Sequence, residues 1–304
     1  MREGSLDELA TIHPTVTDTE TLFETLDSFR GARWAFRGQR QDWPLTATIE
    51  RYSCRPGVAE DYVMREFRRR FHRYAQNAPG RDDDLEWLAL MQHHGAPTRL
   101  LDWTRSAQIA AFFAAQASST AHPFVNDGVP TAPPFIIWAV DTDSINAHAK
   151  AMLRIAEDAD LSCGETFRRV FWSQPAEGLY VVVAVEPYRL NERLTVQHGL
   201  FLFANHALFP FHNCLARLLL HAKGEGQPSA QWLHKVVVSP GARADVLRAL
   251  EQVNITATTL FPGLDGFCQS LQVAVQLRDH DGWPGVSLTS ASSAGSEYSH
   301  MRKR

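Results

Sequence analysis

The chain has 304 residues, of which 44% are hydrophobic and 21% charged, so it is long enough for one large domain or two modest ones. A formal net charge of −4 excludes a protein whose whole surface binds nucleic acid, but it allows a local basic patch. The four cysteines form no CxxC pair, which argues against a zinc knuckle or a dense disulfide framework. No run reaches the roughly 18 apolar residues of a membrane helix, so we expect a cytoplasmic protein without membrane contact.

The first third of the chain alternates predicted helices with short predicted strands. Asp18 precedes ETLFETLDSF, which has the pattern of a capped amphipathic helix. WAFRGQ at 34–39 predicts a short strand, and residues 59–76 have apolar side chains at helical spacing. The helix LEWLALMQHH is expected to end at Gly95, because Pro97 follows directly.

A second predicted strand and a buried helix follow this break. TRLLDW is short and apolar, which indicates a strand or a buried extended link. Thr104 or Ser106 is expected to cap the next helix, AQIAAFFAAQA, which is apolar almost all round. Residues 118–134 are polar and rich in proline, which predicts a loop.

The second half of the chain contains the clearest strands. FIIWAV (135–140) and LYVVVAV (179–185) are apolar on both faces, so we expect them to be central. Residues 143–170 between them favour helix with a mixed loop. RLTVQHGLFLF (193–203) predicts a strand interrupted at Gly199, and KVVVS (235–239) predicts another before the helix ARADVLRALEQV.

This order of elements predicts one α+β domain. We expect a central mixed or antiparallel sheet of five to seven strands flanked by helices. The domain should span residues 15–275, with a flexible N-terminus at 1–14. The Ser/Gly-rich segment 276–304 predicts a disordered C-terminal tail.

Several familiar catalytic signatures are missing from the sequence. It has no GxGxxG after a strand, no P-loop, no HExxH and no GxSxG. His93 and His94 are adjacent, so on a helix they point about 100° apart and cannot chelate one ion as an i, i+4 pair would. No metal site is therefore predicted.

Five stretches together resemble the FRG domain, a family named after its Phe-Arg-Gly motif. They are FRGQ at 36–39, the Trp43-Pro44-Leu45 loop leading to Arg51, QHHGAPTRLLDWTRSAQIAAFFA at 92–114, QHGLF at 197–201 and LFPGLDG at 260–266. The resemblance extends over nearly all of 15–275, and the long central block makes it specific. Members of this family occur in bacterial and phage genomes, often without an assigned activity.

The order of motifs is also similar to that of ADP-ribosyltransferases of the Arg-Ser-Glu type, and this similarity implies a split sheet of that type and NAD as the substrate. It implies that Arg37 holds the NAD phosphates and that Gly38 lets the backbone come close. Thr104 and Ser106 would frame the nicotinamide end, and Gln197 would position the ribose in the place of the catalytic glutamate. His94 and Arg99 are secondary candidates for nucleotide contact.

The residue types suit phosphate binding better than catalysis. A guanidinium at a strand end can bind a phosphate with two hydrogen bonds, and hydroxyls at a helix N-terminus add donors. Gln197 carries no negative charge, so it cannot stabilise an oxocarbenium-like ribose as a carboxylate does. Glu186 or Glu192 could replace it only if the fold brings one of them close.

Structural roles remain open for the same residues. Arg37 could pair with Asp102, and Asp102 could instead pair with Arg99 or accept backbone N–H bonds. His94 could simply complement the dipole at a helix C-terminus.

The function favoured by the sequence is an NAD-using, ADP-ribosyltransferase-like protein. We expect a bacterial toxin or phage-defence effector that modifies a macromolecule, either protein or nucleic acid, with an antitoxin as a further partner. The alternative is a non-catalytic sensor module that binds a nucleotide or nucleic acid. The third hypothesis is a metal-dependent nuclease or hydrolase built on Glu66, His94 and Asp102.

Overall fold

The computed structural model of the chain describes residues 5–53, 55–116, 124–126, 129–172, 179–189, 192–206 and 209–281. The helices are α1 (Leu6–Leu9), α2 (Thr19–Asp27), α3 (Thr48–Tyr52), α4 (Pro56–Arg70), α5 (Asp84–His93), α6 (Ala107–Ala115), α7 (Thr142–Leu153), α8 (Gly164–Trp172), α9 (Glu192–Val196), α10 (Phe211–Gly224), α11 (Arg243–Gln252), α12 (Ala257–Leu260) and α13 (Leu264–Asp281). The strands are β1 (Thr11–Ile12), β2 (Trp34–Gln39), β3 (Leu100–Thr104), β4 (Phe124–Asn126), β5 (Val129–Thr131), β6 (Phe135–Asp141), β7 (Val182–Val185), β8 (Gly199–Ala204) and β9 (Leu233–Val238).

Seven strands form one mixed sheet in the order β1-β9-β6-β2-β3-β8-β7. The pair β1–β9 is parallel, and the other neighbours are antiparallel. The strands β4 and β5 form a separate two-stranded sheet within the predicted loop 118–134. The prediction of an α+β fold with a mixed sheet flanked by helices is confirmed.

The sheet is nearly divided between β2 and β3. Strand β2 pairs with β6 at all six of its residues, but its only registered pair with β3 is Phe36 with Thr104. Strand β3 in turn pairs along its whole length with β8. The two halves of the sheet therefore join at one registered pair and part beyond it.

Helices cover both faces of the sheet, and strand β6 separates the two layers of core. Alternate side chains of β6 point to opposite faces. Ile136, Trp138 and Val140 pack with α4, α5, α7, α8 and α10. Phe135 and Ile137 pack on the other side with α2, α6, α11 and α12. The continuous apolar sequence of β6 follows from burial on both faces, as predicted.

Strand β7 differs from its prediction as a central strand, because it lies at the edge of the sheet. All four of its residues are nonetheless buried, since α7 and α10 cover it. The side chain of Asn146 in α7 bonds to both backbone groups of Ala184, at 3.0 Å to its carbonyl oxygen and 2.8 Å to its nitrogen. An edge strand that helices cover has the same apolar sequence pattern as a central strand. Sequence periodicity therefore cannot distinguish these two positions in a sheet.

The predicted strand at 193–203 is wrong in its first half, which forms helix α9. The chain turns at His198, whose φ is 48°, and β8 begins at Gly199. A Cβ atom at Gly199 would lie 2.6 Å from Cδ2 of Leu194, so a larger residue there would require the Leu194 side chain to move.

The ends of the described region are more ordered than predicted. Ser5 caps α1, Leu6 and Leu9 are buried, and β1 pairs with β9, so the expected flexible N-terminus is structured from residue 5. Helix α13 continues past the predicted boundary at 275 to Asp281. The rest of the predicted disordered tail, 282–304, lies outside the described residues. Within the described residues, no helix has the combined length and apolar character needed to cross a membrane.

Candidate functional site

A cleft of about 430 Å³ opens where β2 and β3 part. Residues of β2 and β3 form its floor, the loop after β2 supplies one wall, and α6 and α9 supply the others. The residues lining it are Phe36, Arg37, Gly38, Gln39, Arg40, Trp43, Arg51, Asp102, Trp103, Thr104, Phe113, Arg193 and Gln197.

Arg37 lies where the two strands part and lines the cleft. Its Nη1 donates to the carbonyl oxygen of Asp102 at 2.5 Å. Its Nε is buried and has no hydrogen-bond partner. Burial lowers the pKa of Arg37, and the nearby Arg51 lowers it further, while Asp102 opposes the shift. The guanidinium thus has a donor to spare in a place where an anion would stabilise its charge.

Three further arginines line the same cleft. The side chain of Arg40 donates to Oε1 of Gln116 at 2.9 Å, and Arg51 donates to the carbonyl oxygen of Thr46 at 3.3 Å. The guanidinium of Arg193 lies 4.9 Å from the ring centre of Phe261. Within the part of the chain that the structure describes, no ion pair with a carboxylate engages any of the cleft arginines. Four cations therefore face one carboxylate.

Aromatic side chains complete the lining. Trp103 is buried, and its indole Nε1 has no hydrogen-bond partner. Trp43 is 38% exposed, and Phe113 is partly buried at the other wall. Buried donors without an acceptor are rare, and here two of them, on Arg37 and Trp103, line one cleft. Two residues that line the cleft therefore each keep a buried N–H group without a partner.

The carboxylate in the cleft is that of Asp102, which is exposed. Its Oδ2 accepts from Nε2 of Gln92 at 2.9 Å, and Oε1 of Gln92 accepts from the hydroxyl of Thr98 at 2.6 Å. These two hydrogen bonds, in series, fix the orientation of the Asp102 carboxylate. The expected pairing of Asp102 with Arg99 is wrong.

The hydroxyls of Thr104 and Ser106 are engaged in holding the fold. Thr104 lines the cleft, but its hydroxyl donates to the carbonyl oxygen of Gln197 at 2.6 Å and accepts from the Ser106 nitrogen at 3.0 Å. Ser106 caps α6 by accepting from the Ile109 nitrogen at 3.3 Å, and it is absent from the lining. Of the two residues expected to frame the nicotinamide end, Thr104 therefore lies in the cleft and Ser106 does not.

Gly38 is needed for packing as well as for access. A Cβ atom there would lie 2.0 Å from the carbonyl oxygen of Ala110 and 2.6 Å from the nitrogen of Ala114. Strand β2 thus rests directly on the second half of α6. This contact also explains why the cleft lies beside Phe113 rather than beside the cap of α6.

Gln197 lies in the cleft. It follows α9 instead of opening a strand, and it is largely buried. Its Nε2 donates to the carbonyl oxygen of Leu260 at 3.0 Å, which leaves Oε1 as an acceptor. The two glutamates considered as replacements lie elsewhere: Glu186 pairs with Arg105 at 2.7 Å, and Glu192 lines a neighbouring groove.

His94 and Arg99, the secondary candidates, do not line the cleft. His94 is exposed and lies in the neighbouring groove, which shares Arg40, Phe113 and Arg193 with the cleft. Arg99 is buried in the core, where it forms an ion pair with Glu60 and lies 4.4 Å from the ring centre of Phe171. Arg99 is therefore a structural residue.

The three residues considered for a metal-dependent nuclease or hydrolase do not lie together. Glu66 pairs with Arg69 and Arg70 along α4, whereas His94 lies in the groove and Asp102 in the cleft. Among the residues that the structure describes, no group able to hold a metal ion contains any of these three. The metal-dependent nuclease gains no support.

Sequence reasoning missed Arg40, Arg193, Trp43 and Phe113 as site residues. One signal was available for Arg193, which stands four residues before Gln197 and would share its face on a helix. The signal was lost because that segment was predicted to be a strand.

No curated protein and no solved structure matches the chain. A family model matches residues 32–122, from the start of β2 to beyond α6, which is less than a third of the chain. This segment includes Arg37, Arg40, Arg51 and Asp102. The matching family is the FRG domain, and the match supports that family for this chain.

Proposed function

We propose that the cleft binds a nucleotide through its phosphates and that this nucleotide is NAD. The observation that carries the proposal is the presence, in one cleft, of four arginines without carboxylate partners and of two buried N–H donors without acceptors. Guanidinium groups bind phosphates with short, charge-assisted hydrogen bonds. A phosphate would also reverse the lowering of the Arg37 pKa by burial.

The remaining lining suits the rest of a nucleotide. A volume of about 430 Å³ lies within the usual range of roughly 300–1,000 Å³ for small-molecule sites. Trp43 and Phe113 offer aromatic faces for a base, and the arginines between them would hold the diphosphate.

The reaction that we propose is ADP-ribosyl transfer. The bond between the ribose and the nicotinamide nitrogen breaks, and nicotinamide leaves with the electron pair. A hydroxyl, amine or other nucleophile of the target then bonds to the ribose carbon and loses its proton. Asp102 is the carboxylate that lines the cleft, so it would stabilise the positive ribose in place of the expected glutamate. Oε1 of Gln197 would accept from a ribose hydroxyl.

The biological setting proposed with this reaction is a bacterial toxin or phage-defence effector. Its target would be a macromolecule, either protein or nucleic acid, and an antitoxin would protect the producing cell. The support for this setting is the match of residues 32–122 to the FRG domain together with the resemblance of the motif order to ADP-ribosyltransferases.

The proposal is tested by calorimetry with NAD and by release of labelled nicotinamide in the presence of cell lysate. We expect Arg37→Ala to weaken NAD binding by about 10–100-fold, since a charge-assisted hydrogen bond contributes roughly 1.5–3 kcal/mol. Arg73→Ala is the matched control, because Arg73 is exposed and lies outside the cleft. Asp102→Asn should bind NAD but release little nicotinamide.

A second function, a non-catalytic nucleotide sensor, is favoured by one observation. The residue in the place of the expected glutamate is a neutral glutamine whose amide is already bonded to Leu260. NAD binding that depends on Arg37 without any release of nicotinamide would support the sensor. No detectable NAD binding by the wild type would overturn both proposals.

A further inference from the structure

A pair of histidines and a glutamate meet at the ends of α7 and α10, away from the arginine cleft. Nε2 of His148 in α7 lies 3.1 Å from Nδ1 of His221 in α10. Glu225 follows α10 and stands four residues after His221, so it lies one turn further along the same face. Its carboxylate oxygens lie 3.9 Å from Nδ1 of His148 and 3.9 Å from Nδ1 of His221.

We propose that His148, His221 and Glu225 bind a zinc ion. Across the described ranges of the chain, this is the one group of three histidine, cysteine or carboxylate side chains whose ligand atoms all lie within 4.8 Å of one another. None of the three lines the arginine cleft, so the inference is independent of the proposed nucleotide function.

The distances suit a shared metal ion. Two ligands at 2.0–2.1 Å from a tetrahedral zinc ion are separated by about 3.3 Å. The 3.1 Å between the two imidazole nitrogens is close to this value. One Glu225 oxygen, which lies 3.9 Å from Nδ1 of His221, must approach that nitrogen by roughly half an ångström and also move toward Nε2 of His148. The side chains of His221 and Glu225 are exposed enough, at 43% and 57%, to allow this movement.

The chemistry of the three side chains selects the metal. Two imidazoles and one carboxylate form a ligand set that zinc uses in proteins, whereas Mg²⁺ and Ca²⁺ prefer sites made wholly of oxygen. The exposed side of the site leaves a position for water as the fourth ligand.

The fold holds one of the ligands in place before any ion arrives. His148 is 7% exposed, and its ring centre lies 5.6 Å from that of Trp232, so packing fixes its position. The ion would join two helices whose ligands are 73 residues apart in sequence.

A second histidine pair in the same protein provides an internal control. Nε2 of His13 lies 3.1 Å from Nδ1 of His234, the same distance as in the proposed site. Within the described residues, no carboxylate or cysteine completes a group of three around this pair. If two close histidines were enough for tight binding, the two pairs would bind zinc alike.

The test is calorimetry of Zn²⁺ with the full chain after treatment with a chelator. We expect one tight zinc ion per chain and no comparable binding of Mg²⁺ or Ca²⁺. His221→Asn and Glu225→Gln, both at exposed positions, should each weaken binding by at least about 10–100-fold, the loss typical of removing even an outer partner of a ligand. His13→Gln should leave the affinity unchanged.

Two further measurements separate this site from adventitious binding. Zinc should raise the Tm of the wild type and of His13→Gln but not that of His221→Asn, because only an intact site binds the folded state more tightly than the unfolded one. Co²⁺ in the same site should give a visible spectrum without the intense band of thiolate ligands. Equal affinity in all three variants, a thiolate band, or absence of tight binding to the wild type would overturn the proposal.

Discussion

At the scale of single residues, two arginines predicted for the same role have opposite surroundings. Arg37 lines an open cleft and keeps a donor without a partner. Arg99 is 7% exposed and is paired with Glu60, which is 1% exposed. In the sequence, both arginines stand near glycine, proline or aromatic residues. Only their burial in the folded protein distinguishes the guanidinium that can bind a ligand from the structural one.

Arg99→Ala should therefore destabilise the protein much more than Arg37→Ala does. Removing one partner of a buried ion pair leaves an uncompensated charge, here on Glu60, and costs about 3–5 kcal/mol. Urea denaturation of the two variants measures the difference. The double variant Arg99→Met with Glu60→Leu should recover much of the loss, because no charge is then buried. A loss below about 1 kcal/mol for Arg99→Ala would contradict the structural role.

At the scale of elements, contacts between β2 and α6 and between α3 and α10 position the cleft and the core behind it. Gly38 brings the backbone of β2 against α6, and Glu50 in α3 accepts from the Phe211 nitrogen at the start of α10 at 3.0 Å. Helix α10 has no side-chain cap of its own, so a residue distant in sequence supplies one. Both contacts depend on tertiary structure.

Gly38→Ala should destabilise the protein by about 1–3 kcal/mol or more, because the new methyl group overlaps the backbone of α6 and forces β2 away from it. Gly224→Ala is the matched control, since nothing lies within 4 Å of its added Cβ and the residue is helical. The control should be neutral or slightly stabilising. Thermal unfolding of both variants gives the comparison, and equal Tm values would show that the close approach at Gly38 is not needed.

Glu50 should make stability depend on pH. Burial raises its pKa from 4.5 to about 7, and its Oε2 has no hydrogen-bond partner. Between these two pKa values the folded state binds more protons than the unfolded state, so stability falls as pH rises from about 4.5 to 7 and is then constant. The upper bound of the loss is about 3.5 kcal/mol, from roughly 1.4 kcal/mol per pKa unit, and the actual loss is smaller because Glu50 is only partly buried.

Glu50→Gln isolates this effect because it keeps the acceptor for Phe211 and removes the titration. In urea denaturation at pH 5 and pH 8, the variant should be more stable than the wild type at pH 8. At pH 5 the difference should be small. A wild type and variant with parallel pH profiles would show that Glu50 titrates normally.

At the scale of the whole molecule, the cleft results from the way in which the sheet is assembled. Strands β2 and β3 are neighbours, yet they share one registered pair, whereas each is paired along its whole length with its other neighbour. The parting exposes Arg37 and Asp102, and residues from α6, α9 and the loop after β2 surround them. A chain with a net charge of −4 thus carries a local site of four arginines. Attraction of anions to this protein is a property of the cleft rather than of the total charge.

Much of the fold was predictable from local patterns. The α+β class, the caps at Asp18 and Ser106 and the buried strand β6 follow from periodicity and capping chemistry, which act over a few residues. The errors fall where distant contacts override these patterns. Strand β7 is apolar at an edge because helices cover it, and α9 is helical where β-branched and apolar residues predicted a strand.

The candidate site was only partly predictable. The sequence by itself determined the composition of its floor, because Arg37, Gly38, Asp102 and Thr104 stand in two short and specific motifs. Tertiary structure alone placed the two motifs beside each other, where β2 and β3 part. It also brought Arg193 and Gln197 from the second half of the chain to the same place. Motifs record which chemical groups are present, but the distances between them depend on strand pairing and helix packing across more than a hundred residues.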